Sequence, residues 1–150
     1  MENNFEIRAY RPADKETVIN LLRLNTPMYF SSEEENDLIY YLENEICAYY
    51  VIETEGTVVG SGGYNLTEDK IVGTISWDIL HPDWQRKSLG TALLVHRTNE
   101  LNKIPEVKQI VVRTSQLAYK FYERAGFQLV EIVDNYWAQG YHLYQMELPS

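Results

Sequence analysis

"HPDWQRKSLGTALL", residues 81–94, decides how the rest of the chain is read. The stretch packs a turn at Pro82 and Asp83, the adjacent cations Arg86 and Lys87, the small pair Gly90 and Thr91, and the apolar opening Ala92, Leu93 and Leu94. Upstream, "KIVGTISWDIL" reads as a long strand; downstream, the spacing predicts a helix from about Ser88 to Lys103. The amides of residues 86 to 91 are therefore expected at a helix N-terminus, where unpaired N–H groups and the helix dipole attract anions. Gly90 and Thr91 allow a ligand close to the backbone. With Arg86 and Lys87 alongside, the expected anion is a phosphate or pyrophosphate rather than a lone carboxylate; a surface turn decorated by two cations is the alternative.

Outward from this point the periodicity changes repeatedly, with no linker or repeat. "FEIRAYR" alternates as a first strand, and "PADKETVINLLRL" follows as a helix with Val18, Leu21 and Leu22 on one face. After Pro27, "SSEEE" supplies a cap and first-turn acids for a second helix that turns Leu38, Tyr41 and Leu42 inward. The three glutamates read as a solvated helix start. "ICAYYVIETEGTVVGSGGYNL" forms two β-rich runs around the hairpin signal Glu55-Gly56. Beyond the third helix, "VKQIVVRT" is a strand and "SQLAYKFYERAG" a short helix stopped by Gly126; "FQLVEIVD" and "YHLYQMEL" are a closing strand pair. The order βααβββαβαββ predicts an α/β (α+β) mixed sheet covered by helices on both faces.

Composition narrows the function classes. A chain of 150 residues, 45% hydrophobic and 13% aromatic, supports one core and is read as one domain over 1–150. It holds no apolar run of membrane-spanning length, and "MENNFEIRAY" lacks the pattern of a secretory signal, so a cytoplasmic location without membrane association is expected. The formal net charge of −9 disfavours nucleic acid and suits a cationic substrate. Cys47 is the only cysteine and is expected to be a buried, inert thiol in a strand; no Cys/His spacing suggests a metal, and none is expected.

Two motifs point further. "QRKSLGTALL" resembles the Q/R-x-x-G-x-G/A signature of the GNAT superfamily of N-acetyltransferases, with Gln85 opening it and Gly90 at the second glycine. "SQLAYKFYERAGF" resembles that family's N-x-x-A-x-x-F-Y-x-x-x-G-F segment through Ala118, Phe121, Tyr122, Gly126 and Phe127. The resemblance extends over essentially the whole chain. It implies an acyl-CoA N-acyltransferase fold, with a seven-stranded, mostly antiparallel sheet flanked by four helices, and acetyl-CoA as acetyl donor. It further implies that Arg86, Lys87, Ser88, Leu89, Gly90 and Thr91 cradle the CoA diphosphate. Ile79, Leu80 and His81 would meet the pantetheine arm through main-chain atoms, and Tyr122 would be the general acid for the departing thiolate. A homodimer is compatible with it.

The departures from the family pattern matter as much. Ser88 stands where the first glycine is expected; a positive φ there would cost a serine about 1 kcal/mol. Ser115 replaces the asparagine of the second motif, with Gln116 beside it, and Ser115 is favoured as the pantetheine partner. The positions where the family often places a general base are Thr74, Ser76 and Val111, none of which takes a proton at neutral pH. Asp78 has the strand parity of Thr74 and Ser76 and is the candidate base, unless a bulge intervenes.

Deprotonating a lysine-like amine at pH 7 costs about 4.6 kcal/mol, against about 1 kcal/mol for an α-amino group, so a weak base favours the latter as acceptor. The acceptor, a small-molecule amine or a peptide N-terminus, is expected between "TPMYFSS" and "DNYWAQGYH", where Tyr29, Phe30, Tyr136 and Trp137 could surround an apolar or cationic group. A second reading, a non-catalytic acyl-CoA-binding regulatory or interaction module, accommodates Ser88 and the missing base.

Overall fold

A computed structural model describes residues 4–85 and 88–149. Its elements are β1 (Glu6–Ala9), α1 (Lys15–Leu24), α2 (Glu34–Asn44), β2 (Ala48–Thr54), β3 (Thr57–Leu66), β4 (Val72–Leu80), α3 (Leu89–Asn102), β5 (Gln109–Thr114), α4 (Tyr119–Arg124), β6 (Gln128–Ala138) and β7 (Tyr141–Leu148). The order is the one the periodicity predicts, with short 3-10 turns added at Pro12–Asp14 and Pro82–Trp84. Seven strands form one sheet in the order β1-β2-β3-β4-β5-β7-β6. Every neighbouring pair is antiparallel except β4 and β5. That parallel pair needs a crossover, and α3 supplies it.

Helices cover both faces. Val18, Leu21, Leu22, Leu38, Tyr41 and Leu42 from α1 and α2 pack on Tyr49, Val51 and Ile79. On the opposite face Leu94 and Leu101 of α3 and Tyr122 of α4 pack on Ile75, Ile110, Val112 and Met146, while Leu89 and Leu93 meet Ile52 and Val59. Alternation along β2 explains the division: Tyr49 and Val51 face α1 and α2, and Ile52 faces α3.

Two readings of the sequence need correction. Cys47 is exposed, because β2 begins at Ala48 and the preceding residues form the exit turn from α2. Nor is the glutamate run uniformly solvated: Glu34 is buried.

The site-forming feature is an irregularity in β4. Ser61 of β3 pairs with Ile79, but Gly63 pairs with Ser76, so Trp77 and Asp78 together oppose Gly62. This is a β-bulge, and Trp77 takes a left-handed φ of 50° to make it. Tyr49 braces it by donating to the Trp77 carbonyl at 2.9 Å. The Trp77 ring stacks on Phe30, with centroids 6.3 Å apart. The β4–β5 pairing ends at Ile75 and Val112, one residue short of Ser76, and beyond it the two strands line opposite sides of a cleft.

Candidate active site

The cleft has a volume of about 900 Å³ and opens where β4 leaves β5. Its walls come from the end of β4, the start of α3, the loop into α4 and the loop between α1 and α2. One residue of extra length in β4 therefore determines which side chains meet there.

The bulge overturns the parity expected for Asp78. Ser76 Oγ donates to Asn65 Oδ1 at 2.8 Å, and the Tyr41 hydroxyl of α2 donates to the same oxygen at 2.7 Å, which places Ser76 on the α1/α2 face. Asp78 lies on the other face. Its carboxylate accepts from the Arg97 guanidinium of α3 and from the Tyr122 hydroxyl of α4. Arg97 is fully buried and also donates to Gly63 O at 3.0 Å and Leu93 O at 3.1 Å. A buried guanidinium requires such partners. The close approach also accounts for Gly62, where a methyl group would collide with Asp78 Oδ1 and lie 2.9 Å from Arg97 Nη1.

Tyr122 is thus held as a proton donor. Burial pushes its hydroxyl well above the ordinary tyrosine range; the negative charge of Asp78 adds to the rise and Arg97 opposes it. Sequence reasoning singled out Tyr122 and Asp78, which the structure brings together, but missed Arg97. The signal was the Gly62-Gly63 pair inside a strand, which marks a bulge or a close approach.

At the start of α3, Ser88 has φ 67° and ψ 5°, the left-handed conformation that is costly for a serine at the motif position. Ala92 N donates to Ser88 O at 3.0 Å, so the amides of Leu89, Gly90 and Thr91 precede that bond in the first turn of α3. Ser88, Gly90 and Thr91 line the cleft, whereas the Leu89 side chain is in the core. A methyl group added at Gly90 would meet Phe121 at an ordinary 3.4 Å, so packing within the chain does not require glycine there. Arg86 and Lys87 lie outside the described residues.

Ile79 and Leu80 line the cleft as expected. The Leu80 carbonyl, however, accepts from Asn25 Nδ2 at 2.9 Å and Gln85 Nε2 at 3.2 Å, and Gln85 also donates to Asn25 Oδ1 at 2.9 Å. Gln85 therefore ties the loop before α3 to the end of α1. His81 departs from expectation: its amide donates to Val59 O at 2.8 Å, its Nδ1 accepts from Asp83 N at 3.1 Å, and it does not line the cleft. Ser115 lines the cleft, while Gln116 is spent on Gly140 O at 2.7 Å and His142 N at 3.0 Å.

Of the four aromatics expected around an acceptor, Tyr29, Phe30 and Trp137 line the cleft and Tyr136 does not. Tyr136 and Trp137 already hold a cation of the chain itself: the Arg113 guanidinium lies 4.9 Å from the Tyr136 ring centre and 5.8 Å from that of Trp137. Trp137 Nε1 donates to Thr114 O at 3.0 Å. The Tyr141 hydroxyl donates to Pro27 O at 2.9 Å, joining β7 to the loop between the first two helices.

A helix N-terminus, a bulged, divergent strand pair and a buried tyrosine hydroxyl thus meet at one cleft. Residues 45–129 match the family described as Acetyltransferase (GNAT) domain, more than half of the chain, and the chain belongs to that family. It is 29% identical to an N-alpha-acetyltransferase of Sulfurisphaera tokodaii, with 97% of this chain and 93% of that protein covered. It is 28% identical to an amino-acid acetyltransferase of Pasteurella multocida over 89% of this chain, which spans only 29% of that relative's length. Among solved structures, the ribosomal-protein-alanine N-acetyltransferase of Escherichia coli superposes with a TM-score of 0.79 at 22% identity, covering 97% of this chain and 94% of that one. An aminoglycoside 6'-N-acetyltransferase complexed with coenzyme A superposes with a TM-score of 0.77 at 15% identity, covering 97% and 98%.

Proposed function

We propose that the protein is an N-acetyltransferase that moves the acetyl group of acetyl-CoA to a primary amine by direct attack within a ternary complex. The observation that carries this reading is the placement of the buried Tyr122 hydroxyl in the same cleft as the N-terminus of α3. The residues fit the donor. The first-turn amides of α3 would receive the diphosphate, Gly90 leaves room that packing does not use, and Ser115 offers a hydroxyl to the pantetheine arm.

A neutral amine attacks the thioester carbonyl, which a main-chain N–H at the end of β4 polarises. The carbon–nitrogen bond forms, the carbon–sulfur bond breaks and Tyr122 protonates the sulfur, while the proton that nitrogen sheds as the amide forms passes to solvent, from which the Tyr122 oxygen is reprotonated. Asp78, held by Arg97, is a positioning residue that anchors the Tyr122 oxygen at the cleft until the phenolic proton turns to the departing sulfur. The weakly basic α-amino group is the favoured acceptor, because its deprotonation costs about 1 kcal/mol at pH 7. The N-alpha-acetyltransferase name of the relative from Sulfurisphaera tokodaii supports the same choice.

The test is release of free thiol from acetyl-CoA against a panel of α-amino and side-chain amines. Faster release with α-amino acceptors is expected. Stabilisation of the protein by acetyl-CoA with no thiol release from any amine would instead identify a non-catalytic acyl-CoA-binding module.

A further inference from the structure

The three consecutive acids that open the second helix have three different fates. Glu33 is exposed. Glu35 is paired in a fork with Arg23, Nε to Oε1 at 2.8 Å and Nη2 to Oε2 at 3.0 Å. Glu34 turns inward, is only 6% exposed and lines the cleft on the side of Tyr29, Phe30 and Trp77.

Its surroundings are unusual for a carboxylate. Oε2 accepts from the Ser31 amide at 2.8 Å, and Oε1 has no hydrogen-bond partner among the described residues. No side-chain oxygen or nitrogen of those residues is sealed off without a partner, so Oε1 is not closed off from solvent, and the residue it belongs to lines the cleft. No described cation forms an ion pair with Glu34, and the charge that acts on it most is that of Asp37, of the same sign. Buried carboxylates are ordinarily paired. This one lines a cleft shared with Tyr29, Phe30 and Trp77, with an oxygen to spare and no ion-pair partner among the described residues.

We propose that Glu34 is the acceptor-binding carboxylate, which receives the ammonium of an amine carrying an apolar or aromatic substituent and takes up its proton before attack. This rests on the acetyl-transfer reading above and supplies the base that Asp78, turned toward Arg97, does not. The aromatic wall selects the substituent while Glu34 selects the charge. The proton leaves nitrogen for a Glu34 oxygen, freeing the lone pair that forms the new bond to carbon. Burial, the leading influence on Glu34, raises its proton affinity; the Ser31 amide opposes the rise and Asp37 adds to it.

The test uses the CoA-saturated protein with phenylalanine amide and its desamino analogue, which differ only in the amino group. Calorimetry is expected to show the amine bound at least tenfold more tightly than the desamino compound. In Glu34→Gln, which keeps an acceptor oxygen for Ser31, that preference should vanish while acetyl-CoA affinity is unchanged, and thiol release with phenylalanine amide should fall at least tenfold. Glu34→Asp should restore part of the preference. Equal binding of the two compounds by the unsubstituted protein, or an undiminished preference in Glu34→Gln, overturns the assignment. Failure of the acetyl-transfer reading is seen separately, as absent thiol release from the unsubstituted protein with every amine.

Discussion

The Tyr122 hydroxyl donates to the carboxylate of Asp78, joining the short helix α4 to the bulged end of β4. The bond crosses from one strand-helix unit to the next at the point where the parallel strands separate. With burial and Asp78 both disfavouring the phenolate, Tyr122 stays protonated beyond its ordinary value of 10.0. The proton needed by a leaving thiolate is therefore present throughout the neutral range. Tyr122→Phe should lower kcat by about 10² or more with little change in acetyl-CoA affinity, in the range usual for loss of a general acid. An unchanged kcat would remove Tyr122 from the chemistry.

Arg97 is the counter-charge on which that arrangement depends. Replacing it with leucine leaves the Asp78 carboxylate without its cation and Gly63 O without its donor. Loss of one partner of a buried ion pair costs about 3–5 kcal/mol. Urea unfolding of Arg97→Leu should show a loss in that range, and a loss below about 1 kcal/mol would show that solvent already screens the pair.

Substitutions at two nearby positions at the start of α3 should both stabilise the fold yet affect acetyl-CoA binding differently. Ser88→Gly relieves a left-handed residue and should raise stability by about 1 kcal/mol while preserving or tightening acetyl-CoA binding. Gly90→Ala has no clash to overcome and should gain about 0.5–1 kcal/mol of helix stability, yet it fills space reserved for the ligand and should weaken acetyl-CoA. Thermal unfolding with and without acetyl-CoA separates the two effects. Unchanged ligand stabilisation in Gly90→Ala would place the diphosphate elsewhere.

Acid stability should depend on the first strand. Arg8 donates to both oxygens of Asp14 at 2.9 Å and to Glu53 at 2.8 Å. The Arg8 hydrogen bonds hold Asp14 below its ordinary 3.8; burial opposes this, and the Arg11 amide reinforces it. A carboxylate whose folded value is depressed contributes stability that is fully present above the ordinary value and is lost as pH falls through the folded one. Asp14→Asn should therefore lower Tm at pH 7, with the difference shrinking below about pH 4, as differential unfolding across pH would show.

The element order and the inward faces of α1 and α2 were legible in the sequence because each is a local property of spacing, whereas the left-handed backbone at Ser88 was only a condition to be weighed. The bulge was not. Period-two reading of "TISWD" places Asp78 with Thr74 and Ser76, and only the Tyr49 hydroxyl on the Trp77 carbonyl and the Phe30 stack explain why the strand gains a residue. Arg97 reads as a surface cation on a helix until the gap above Gly62 is seen to receive it. Glu34 hides in a run of acids whose other members behave as helix-start acids do. Partners distant in sequence decided each of these.

The most direct test of the central claim, that the N-terminus of α3 grips the diphosphate of acetyl-CoA, is calorimetric titration with acetyl-CoA and with acetyl-pantetheine, which lacks the diphosphate. The account predicts saturable uptake of acetyl-CoA and at least a hundredfold weaker uptake of acetyl-pantetheine. No uptake of acetyl-CoA at millimolar concentration, or equal affinity for the two, would contradict it.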